Sequence, residues 1–425
     1  MIIHIVKSGD TLYNIAKFYG VTIEKLVEDN QISMPDRLTI GQNIVVDTNE
    51  ISYVVKRGDT LFNISKMFDI PLQDIVSYNP QISNPNLINV GQVVKIPLPL
   101  KDGTIEVNGY AIANINTETL NKTLPNLTYL SIFSYQAKED GSMYTLYEED
   151  LIERARAQNV APNMVVTNIG GSGGFSSDIA HSILTTEPAQ TNLINNIIET
   201  LTIKNYSGVD IDFEYIYPYD KDSYVQFLKR LNTELKKQNY TLSVAVAPKY
   251  RANQTGILYE AHDYKRIGEI ADRVIIMTYE WGYMYGPPMA ISPYDQVRLV
   301  LRYAVTEIPS NKILMGMPNY AYDWTLPFTT NNPATILTNV QAVNLAIEKG
   351  SIINFDNVSK APYFNYFDNF GNKHVVWFDN AESTYARLGL VEEFNLAGVS
   401  YWTINNFFNQ NWLVLNSLYN VKKVL

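Results

Sequence analysis

The sequence contains no cysteine, few histidines and no run of basic residues, and each absence excludes a class of function. Of its 425 residues, 0 are cysteine and 4 are histidine. The lack of cysteine excludes disulfides and thiol chemistry. The histidines are scattered without the spacing of metal ligands, so we predict no metal site and no cofactor. They are His4, His181, His262 and His374.

Charge and hydropathy exclude further classes of function. A formal net charge of −10 without a basic segment disfavours nucleic acid as a partner. No apolar run approaches the roughly 20 residues that span a membrane, so we expect no membrane contact. Residues 1–6 lack a basic start and a long apolar core, so we predict no signal peptide and synthesis in the cytoplasm. A hydrophobic content of 46% is ample for a large core.

An internal repeat organises the N-terminal part of the chain. The segment Val6–Ala16 returns as Val55–Ser65, and Leu38–Val46 returns as Leu87–Pro97. Each copy predicts a strand, a turn, two helices and a closing strand. The turn carries Gly-Asp-Thr, in which the Asp and Thr oxygens cap the first helix.

These repeats resemble LysM modules, which are small binders of glycans containing N-acetylglucosamine. The resemblance implies two βααβ modules, at 1–48 and 50–98, that tether the chain to an insoluble glycan. It also implies that two loops of each module contact sugar, although helix capping alone would account for most of the role of Asp10 and Asp59. The candidate contacts are Gly9, Asp10, Thr11, Leu12 and Asn30 in the first module, and Gly58, Asp59, Thr60, Leu61 and Asn79 in the second.

Beyond Pro97-Leu98-Pro99-Leu100, strand-like runs alternate with helical patterns over 103–425. This alternation predicts an α/β fold, a (β/α)8 TIM barrel, with a doubly wound open sheet as the rival. A long gap near 323–386 predicts an inserted α+β subdomain. The strand-like runs are Glu106–Ile112, Tyr129–Phe133, Asn163–Asn168, Gly208–Phe213, Leu242–Ala247, Arg273–Thr278, Lys312–Met317 and Gly398–Trp402.

Three acids at two-residue spacing end the fourth run: Asp210, Asp212 and Glu214. Side chains alternate across a strand, so these acids share one face. Neighbouring carboxylates raise one another's proton affinity, which is how a general acid is made at neutral pH. A solvated acidic edge is the alternative, but the flanking residues are apolar. Barrel enzymes carry their chemistry at the carboxyl ends of the strands. Aromatic residues at the ends of the sixth and eighth runs, together with the acids, favour a sugar site.

The barrel region resembles glycoside hydrolase family 18, the chitinase-like enzymes. The family motif Asp-x-x-Asp-x-Asp-x-Glu ends in the three acids, with Ser207 in place of the first Asp. The family's Met-x-Tyr-Asp has Glu280 at its last position, and its Ser-x-Gly-Gly begins with Asn168. The resemblance implies catalytic roles for Glu214, Asp212, Asp210 and Tyr279, and substrate contacts by Met277, Glu280, Trp402, Tyr320, Asn319 and Trp281. Trp324 and Trp377 are candidates for either the core or a sugar subsite.

What the family resemblance implies is retaining hydrolysis assisted by the substrate's own acetamido group, with Glu214 as the acid. Asp210 would share a proton with Asp212. Together with the LysM repeats, the barrel resembles the spore cortex-lytic N-acetylglucosaminidases of spore-forming bacteria. That implies a monomer which binds peptidoglycan, cuts after N-acetylglucosamine during germination, and is deposited at the spore coat or cortex. The alternatives are a chitin-oligosaccharide hydrolase and a non-catalytic glycan-binding protein of the coat or wall.

Overall fold

The computed structural model describes residues 1–48, 50–68, 70–98, 101 and 103–425, so Pro99-Leu100 of the predicted linker lies outside the described residues. The N-terminal part forms two modules of the same βααβ order, which confirms that prediction. The first consists of β1 (Ile2–Ile5), α1 (Leu12–Tyr19), α2 (Ile23–Asp29) and β2 (Asn43–Val46). The second consists of β3 (Glu50–Val54), α3 (Leu61–Phe68), α4 (Leu72–Tyr78) and β4 (Val93–Pro97).

The Gly-Asp-Thr turns begin the first helix of each module as their chemistry predicts. Thr11 Oγ1 accepts from the Asn14 N–H at 3.1 Å and caps α1. Asp10 accepts from the Lys7 N–H at 2.7 Å and closes the preceding turn. Thr60 and Asp59 make the same two contacts in the second module. These turns hold each helix against a two-stranded antiparallel sheet.

Parallel strands and helices alternate through the rest of the chain. They are β5 (Thr104–Ile112), α5 (Thr117–Thr123), β6 (Tyr129–Gln136), α6 (Glu149–Ala157), β7 (Ala161–Thr167), α7 (Ser177–Thr185), α8 (Glu187–Ile203), β8 (Gly208–Asp212), α9 (Lys221–Lys236), β9 (Thr241–Val246), α10 (Tyr264–Ile270), β10 (Arg273–Ile276), α11 (Tyr294–Glu307) and β11 (Ile313–Pro318). An inserted segment follows: β12 (Ala321–Leu326), β13 (Thr335–Leu337), α12 (Asn339–Glu348), β14 (Asn354–Asp356), β15 (Ala361–Phe367) and β16 (Lys373–Trp377). The chain ends with α13 (Ala381–Glu393), β17 (Gly398–Trp402), α14 (Asn409–Leu418) and β18 (Asn420–Val421).

The parallel sheet closes on itself. Strands β5 to β11 pair in sequence, β11 pairs with β17, and β17 pairs back onto β5 with Gly398 opposite Glu106. This closure confirms the (β/α)8 barrel and excludes the open doubly wound sheet. No helix in the described part of the chain has the length and hydropathy needed to span a membrane.

Alternation along β8 places the acids inside the barrel. Val209 and Ile211, with Phe213 just beyond, are buried in the large core between the strands and the surrounding helices. Asp210 and Asp212 are also buried but point the opposite way, into the barrel. The apolar face of β8 therefore fixes the direction of its carboxylates.

The insertion forms its own antiparallel sheet, in the order β13-β12-β16-β15-β14, accompanied by α12. Its inner surface is aromatic and packs against the mouth of the barrel. Tyr320, Tyr322 and Trp324 lie there in one cluster with Tyr279 and Trp402. The insertion consequently forms a wall beside the carboxyl ends of the barrel strands.

Candidate active site

Asp210 lies deepest in the barrel, and both of its carboxylate oxygens are occupied. One accepts from the Tyr110 hydroxyl at 2.5 Å, and the other accepts from Ser243 Oγ at 2.7 Å. Burial raises the pKa of Asp210 to about 6, although these two hydrogen bonds act against the rise. No hydrogen bond between Asp210 and Asp212 is present in the described residues, so the shared proton stays a prediction.

Asp212 has a buried oxygen without a hydrogen-bond partner among the described residues. Its side chain is 5% exposed, and Oδ1 is the unpartnered atom. Burial raises the pKa of Asp212 well above its usual value, and the charges of Glu214 and Asp210 raise it further. Because a buried acceptor without a donor costs free energy, the site is preorganised for a ligand that brings an N–H or O–H group.

Glu214 follows β8 and is held by its backbone. Asn168, at the end of β7, donates from Nδ2 to the Glu214 carbonyl oxygen at 2.8 Å. Its Oδ1 accepts from the Glu214 N–H at 2.9 Å. Burial and, to a smaller extent, the negative charge of Glu280 together raise the pKa of Glu214 to about 7. A carboxyl group that keeps its proton to neutral pH is suited to general acid catalysis.

Glu280 is held at the mouth of the site by two tyrosines of the insertion. The Tyr320 hydroxyl donates to Glu280 Oε1, and the Tyr322 hydroxyl donates to the same oxygen at 3.0 Å. Glu280 has a φ of 66°, a left-handed conformation that is uncommon outside glycine. Its pKa is raised by burial despite these hydrogen bonds. The insertion therefore fixes Glu280 at a position from which its negative charge raises the pKa of Glu214.

Tyr279 lies between the acids and the insertion. Burial raises its pKa well above the usual value, and the charges of Asp212 and Glu214 add to the rise. The phenol consequently keeps its proton and is available as a hydrogen-bond donor at neutral pH. Met277 is half-buried where β10 ends, and its N–H donates to the Val246 carbonyl oxygen at 3.0 Å.

Trp402 supplies a partly exposed aromatic surface beside the acids. Its ring packs edge-on against Phe133 with centroids 4.8 Å apart, and against Tyr110 at 5.5 Å. Asn319 Nδ2 donates to the Thr403 and Asn406 carbonyl oxygens, each at 2.8 Å. Asn319 thus orders the loop after Trp402, and its amide nitrogen is already committed to that loop.

The remaining tryptophans differ in exposure. Trp324 is 0% exposed and donates from its indole nitrogen to the Gly286 carbonyl oxygen at 2.9 Å. Trp324 is therefore a core residue and does not line a sugar subsite. Trp377 is half-buried and stacks on Tyr363 with centroids 4.6 Å apart. Trp281 is also half-buried and lines a cavity of about 370 Å³ together with Trp377.

Several residues that support the acids did not stand out in the sequence. Tyr110 and Ser243 bind Asp210 from β5 and β9, and no motif marks either of them. His262 is buried, and burial lowers its pKa to about 4, so the ring is neutral. Its Nδ1 accepts from the Ala247 N–H at 2.9 Å, so Nε2 carries the proton and donates to the Phe213 carbonyl oxygen at 3.0 Å. His262 thus contacts the end of β8, and Ser243 contacts its inner face.

In the LysM modules, the structure separates the predicted contact residues into two groups. Gly9 and Thr11, and their counterparts Gly58 and Thr60, are exposed, while Asp10 and Asp59 are half-buried in the turns. Leu12 and Leu61 are buried in the modules' core, so these two residues could contact sugar only through their backbone groups.

The side chains of Asn30 and Asn79 form hydrogen bonds within their own modules. Asn30 Nδ2 donates to the Leu26 and Val45 carbonyl oxygens, and its Oδ1 accepts from the Val45 N–H at 2.6 Å. Asn79 makes the equivalent bonds to Ile75 and Lys95. Both side chains join a helix to the closing strand and are used inside their modules.

Comparisons with known proteins agree with this fold. The model of glycosyl hydrolases family 18 matches residues 107–406, and the LysM domain model matches residues 4–47 and 53–97. The chain therefore belongs to glycosyl hydrolases family 18, and it is a glycoside hydrolase that carries LysM modules at its N-terminal side.

Its relatives include spore enzymes of similar length. The cortical fragment-lytic enzyme of Bacillus subtilis (strain 168) is 40% identical over 428 residues, covering 100% of this chain and 99% of the relative. The crystal structure of the Bacillus megaterium QM B1551 spore cortex-lytic enzyme SleL matches with a TM-score of 0.90 and 37% identity, covering 100% of this chain and 99% of that one. The Bacillus cereus SleL structure matches with a TM-score of 0.87 and 38% identity, covering 99% and 98%.

Proposed function

We propose that the chain hydrolyses β-1,4 linkages after N-acetylglucosamine in peptidoglycan, with retention of configuration and with the substrate's acetamido group as the nucleophile. The observation that carries this proposal is the unpartnered Asp212 Oδ1, which is buried beside a proton-bearing Glu214 and the Tyr279 phenol. An acetamido N–H is a donor that would satisfy that oxygen. Most retaining glycosidases use one carboxylate as the acid and a second as the nucleophile, but family 18 is among the exceptions in which the substrate supplies the nucleophile.

In the first step Glu214 donates its proton to the glycosidic oxygen, and the bond from that oxygen to C1 breaks. The acetamido carbonyl oxygen attacks C1 while its N–H donates to Asp212. The product is an oxazolinium ion, and the leaving sugar departs with a new hydroxyl group. Tyr279 donates to the acetamido oxygen and keeps it in line with C1.

In the second step Glu214, now ionised, takes a proton from water as the water oxygen attacks C1. The bond from C1 to the acetamido oxygen breaks, and the acetamide is restored. Two displacements at the same carbon give net retention. Trp402 would lie under the apolar face of this sugar, and Glu280 would contact its polar groups from the insertion wall.

This mechanism restricts the substrate, because the sugar on the non-reducing side of the cut needs a free acetamido group. N-acetylglucosamine qualifies, whereas a muramic lactam does not. The names of the relatives favour spore cortex fragments as the natural form of this substrate. We accordingly propose action on cortex peptidoglycan at the spore during germination, with the LysM part contributing glycan binding.

Mass spectrometry of the products tests this proposal directly. Purified cortex fragments treated with the native chain are expected to give products ending in reducing N-acetylglucosamine, and Glu214→Gln is expected to give none. Turnover confined to chitin oligosaccharides would replace cortex by chitin as the substrate. Products ending in muramic acid, or equal release by both proteins, would contradict the proposal.

A further inference from the structure

The first LysM module is fixed to the barrel through one of the two loops that the family resemblance assigns to glycan binding. Gln31 Nε2 donates to the Phe407 carbonyl oxygen at 3.1 Å, and Gln31 Oε1 accepts from the Asn409 N–H at 2.7 Å. Asn409 Nδ2 also donates to the Asp29 carbonyl oxygen at 2.9 Å. Both polar ends of the Gln31 side chain are therefore engaged by barrel residues.

Contacts of Asn30 and of β2 extend this docking. Gln410 Nε2 donates to Asn30 Oδ1 and to the Asn43 carbonyl oxygen, each at 2.9 Å. Asn43 Nδ2 donates to Glu382 Oε2 at 2.8 Å, and Asn43 Oδ1 accepts from the Glu382 N–H at 3.0 Å. Val45 is 0% exposed and belongs to the barrel's hydrophobic core. The first module and the barrel thus pack as one body.

The second module leaves the equivalent face free of such contacts among the described residues. Because Pro80 is an extra residue in that loop, Gln31 corresponds to Gln81, and Val45 corresponds to Lys95. Gln81 is exposed and donates to Asn79 within its own module at 2.9 Å. Lys95 pairs with Glu50, also in its own module, at 2.8 Å. A buried valine in the first copy has become a solvated lysine in the second.

A pair of equivalent glycines shows the same difference between the two modules. Gly41 and Gly91 both have a φ of +85°. A Cβ added to Gly41 would lie 1.9 Å from the Ile353 carbonyl oxygen of the insertion, whereas a Cβ added to Gly91 would have nothing within 4 Å. At this position another part of the chain therefore lies close to the first module but not to the second.

We infer that the second module carries the complete glycan site, between loops 58–61 and 79–82, and that the first module is a docking unit. This inference rests on the proposed function, in which the ligand is a glycan containing N-acetylglucosamine. In the first module the loop 9–12 is exposed, but a sugar that contacts both loops would have to break the bonds of Gln31 to the barrel. The modules share one core, so the first fixes the second relative to the active site.

Binding to insoluble peptidoglycan, measured by sedimentation with the full chain carrying Glu214→Gln, tests the inference. Thr11→Asp and Thr60→Asp form a matched pair, because each keeps a capping oxygen and adds one negative charge to the equivalent loop. We expect Thr60→Asp to weaken binding by about tenfold and Thr11→Asp by less than about twofold. Equal losses, or no loss from Thr60→Asp, would overturn the inference.

Hydrogen exchange gives a second readout that does not depend on charge. Addition of chitopentaose to the Glu214→Gln chain is expected to protect amides in 58–61 and 79–82 but not those in 9–12. Protection of 9–12 to the same extent would contradict the inference. Turnover of soluble cortex fragments by the native chain is measured separately. Its absence would refute the proposed function, while the comparison of the modules would still be decided by binding.

Discussion

At the scale of single residues, the site is a set of buried acids whose proton affinities are raised together. Glu214 keeps its proton up to a pH of about 7, because burial and the negative charge of Glu280 both disfavour ionisation. Activity that needs protonated Glu214 should therefore fall as the pH rises through that value. Glu280 is the charged residue that raises the pKa of Glu214 and thereby sets the pH at which activity falls.

Glu280→Gln is expected to move the alkaline limb of the kcat/KM profile to lower pH. The neutral amide removes a negative charge that raises the pKa of Glu214, so the acid loses its proton sooner. Initial rates on soluble fragments across pH measure this shift. Glu118→Gln removes an exposed carboxylate and serves as the control. An alkaline limb that does not move relative to this control would contradict the role given to Glu280.

Asp212→Asn is expected to lower kcat/KM by about 100-fold or more, because the acetamido N–H loses its carboxyl acceptor. Tyr279→Phe should cost less, since it removes one donor and leaves the acids in place. Steady-state kinetics measure both losses.

Although Asp212→Asn should lower activity, it should not lower the stability of the folded chain. The folded-state pKa of Asp212 is raised, so its contribution to stability is present at low pH and is lost as the pH rises through that pKa. Asparagine removes this penalty, and the thermal unfolding midpoint at pH 8 should equal or exceed that of the native chain. A lower midpoint would indicate that the carboxylate holds the fold together.

At the scale of elements, the end of β7 positions the acid at the end of β8. Asn168→Ala is expected to lower kcat about 10- to 100-fold, because the Glu214 backbone loses both of its bonds to this side chain. Asn168→Asp keeps the acceptor for the Glu214 N–H and should lose less. Equal activity of the alanine variant and the native chain would contradict this positioning role.

The elements themselves could largely be predicted from the sequence. The strand-like runs located the barrel strands to within a few residues, and the alternation along the fourth run predicted the shared direction of its acids. The contact of Glu280 with Tyr320 and Tyr322 could not be predicted, because it depends on how an inserted sheet packs on the barrel. The same holds for Tyr110 and Ser243, whose approach to Asp210 follows from barrel closure and strand register.

At the scale of the whole molecule, the sequence predicted two LysM modules that tether the chain, and the structure adds that the first of them packs against the barrel. Repeats reveal common architecture, whereas docking depends on the residues that vary between copies. Val45 and Lys95 occupy equivalent positions in the buried and the exposed face. Removal of residues 1–98 should accordingly destabilise the barrel as well as weaken attachment, because it exposes barrel core that Val45 covers.

Gly41→Ala and Gly91→Ala measure this docking in the full chain. Both substitutions carry the same backbone strain, since both glycines have a φ of +85°, but only the first meets the Ile353 carbonyl oxygen. We expect Gly41→Ala to cost about 1–3 kcal/mol more than Gly91→Ala. Thermal unfolding of the two variants provides the comparison. Equal unfolding midpoints would indicate that the first module does not press against the insertion.

The central claim is that the substrate's own acetamido oxygen displaces the leaving sugar. Its most direct test is kcat/KM for a series of soluble substrates whose N-acetyl group carries zero, one, two or three fluorine atoms. Fluorine withdraws electron density from the carbonyl oxygen and leaves the glycosidic bond unchanged. The account predicts a steep fall in kcat/KM with each added fluorine, and a rate independent of fluorination would contradict it.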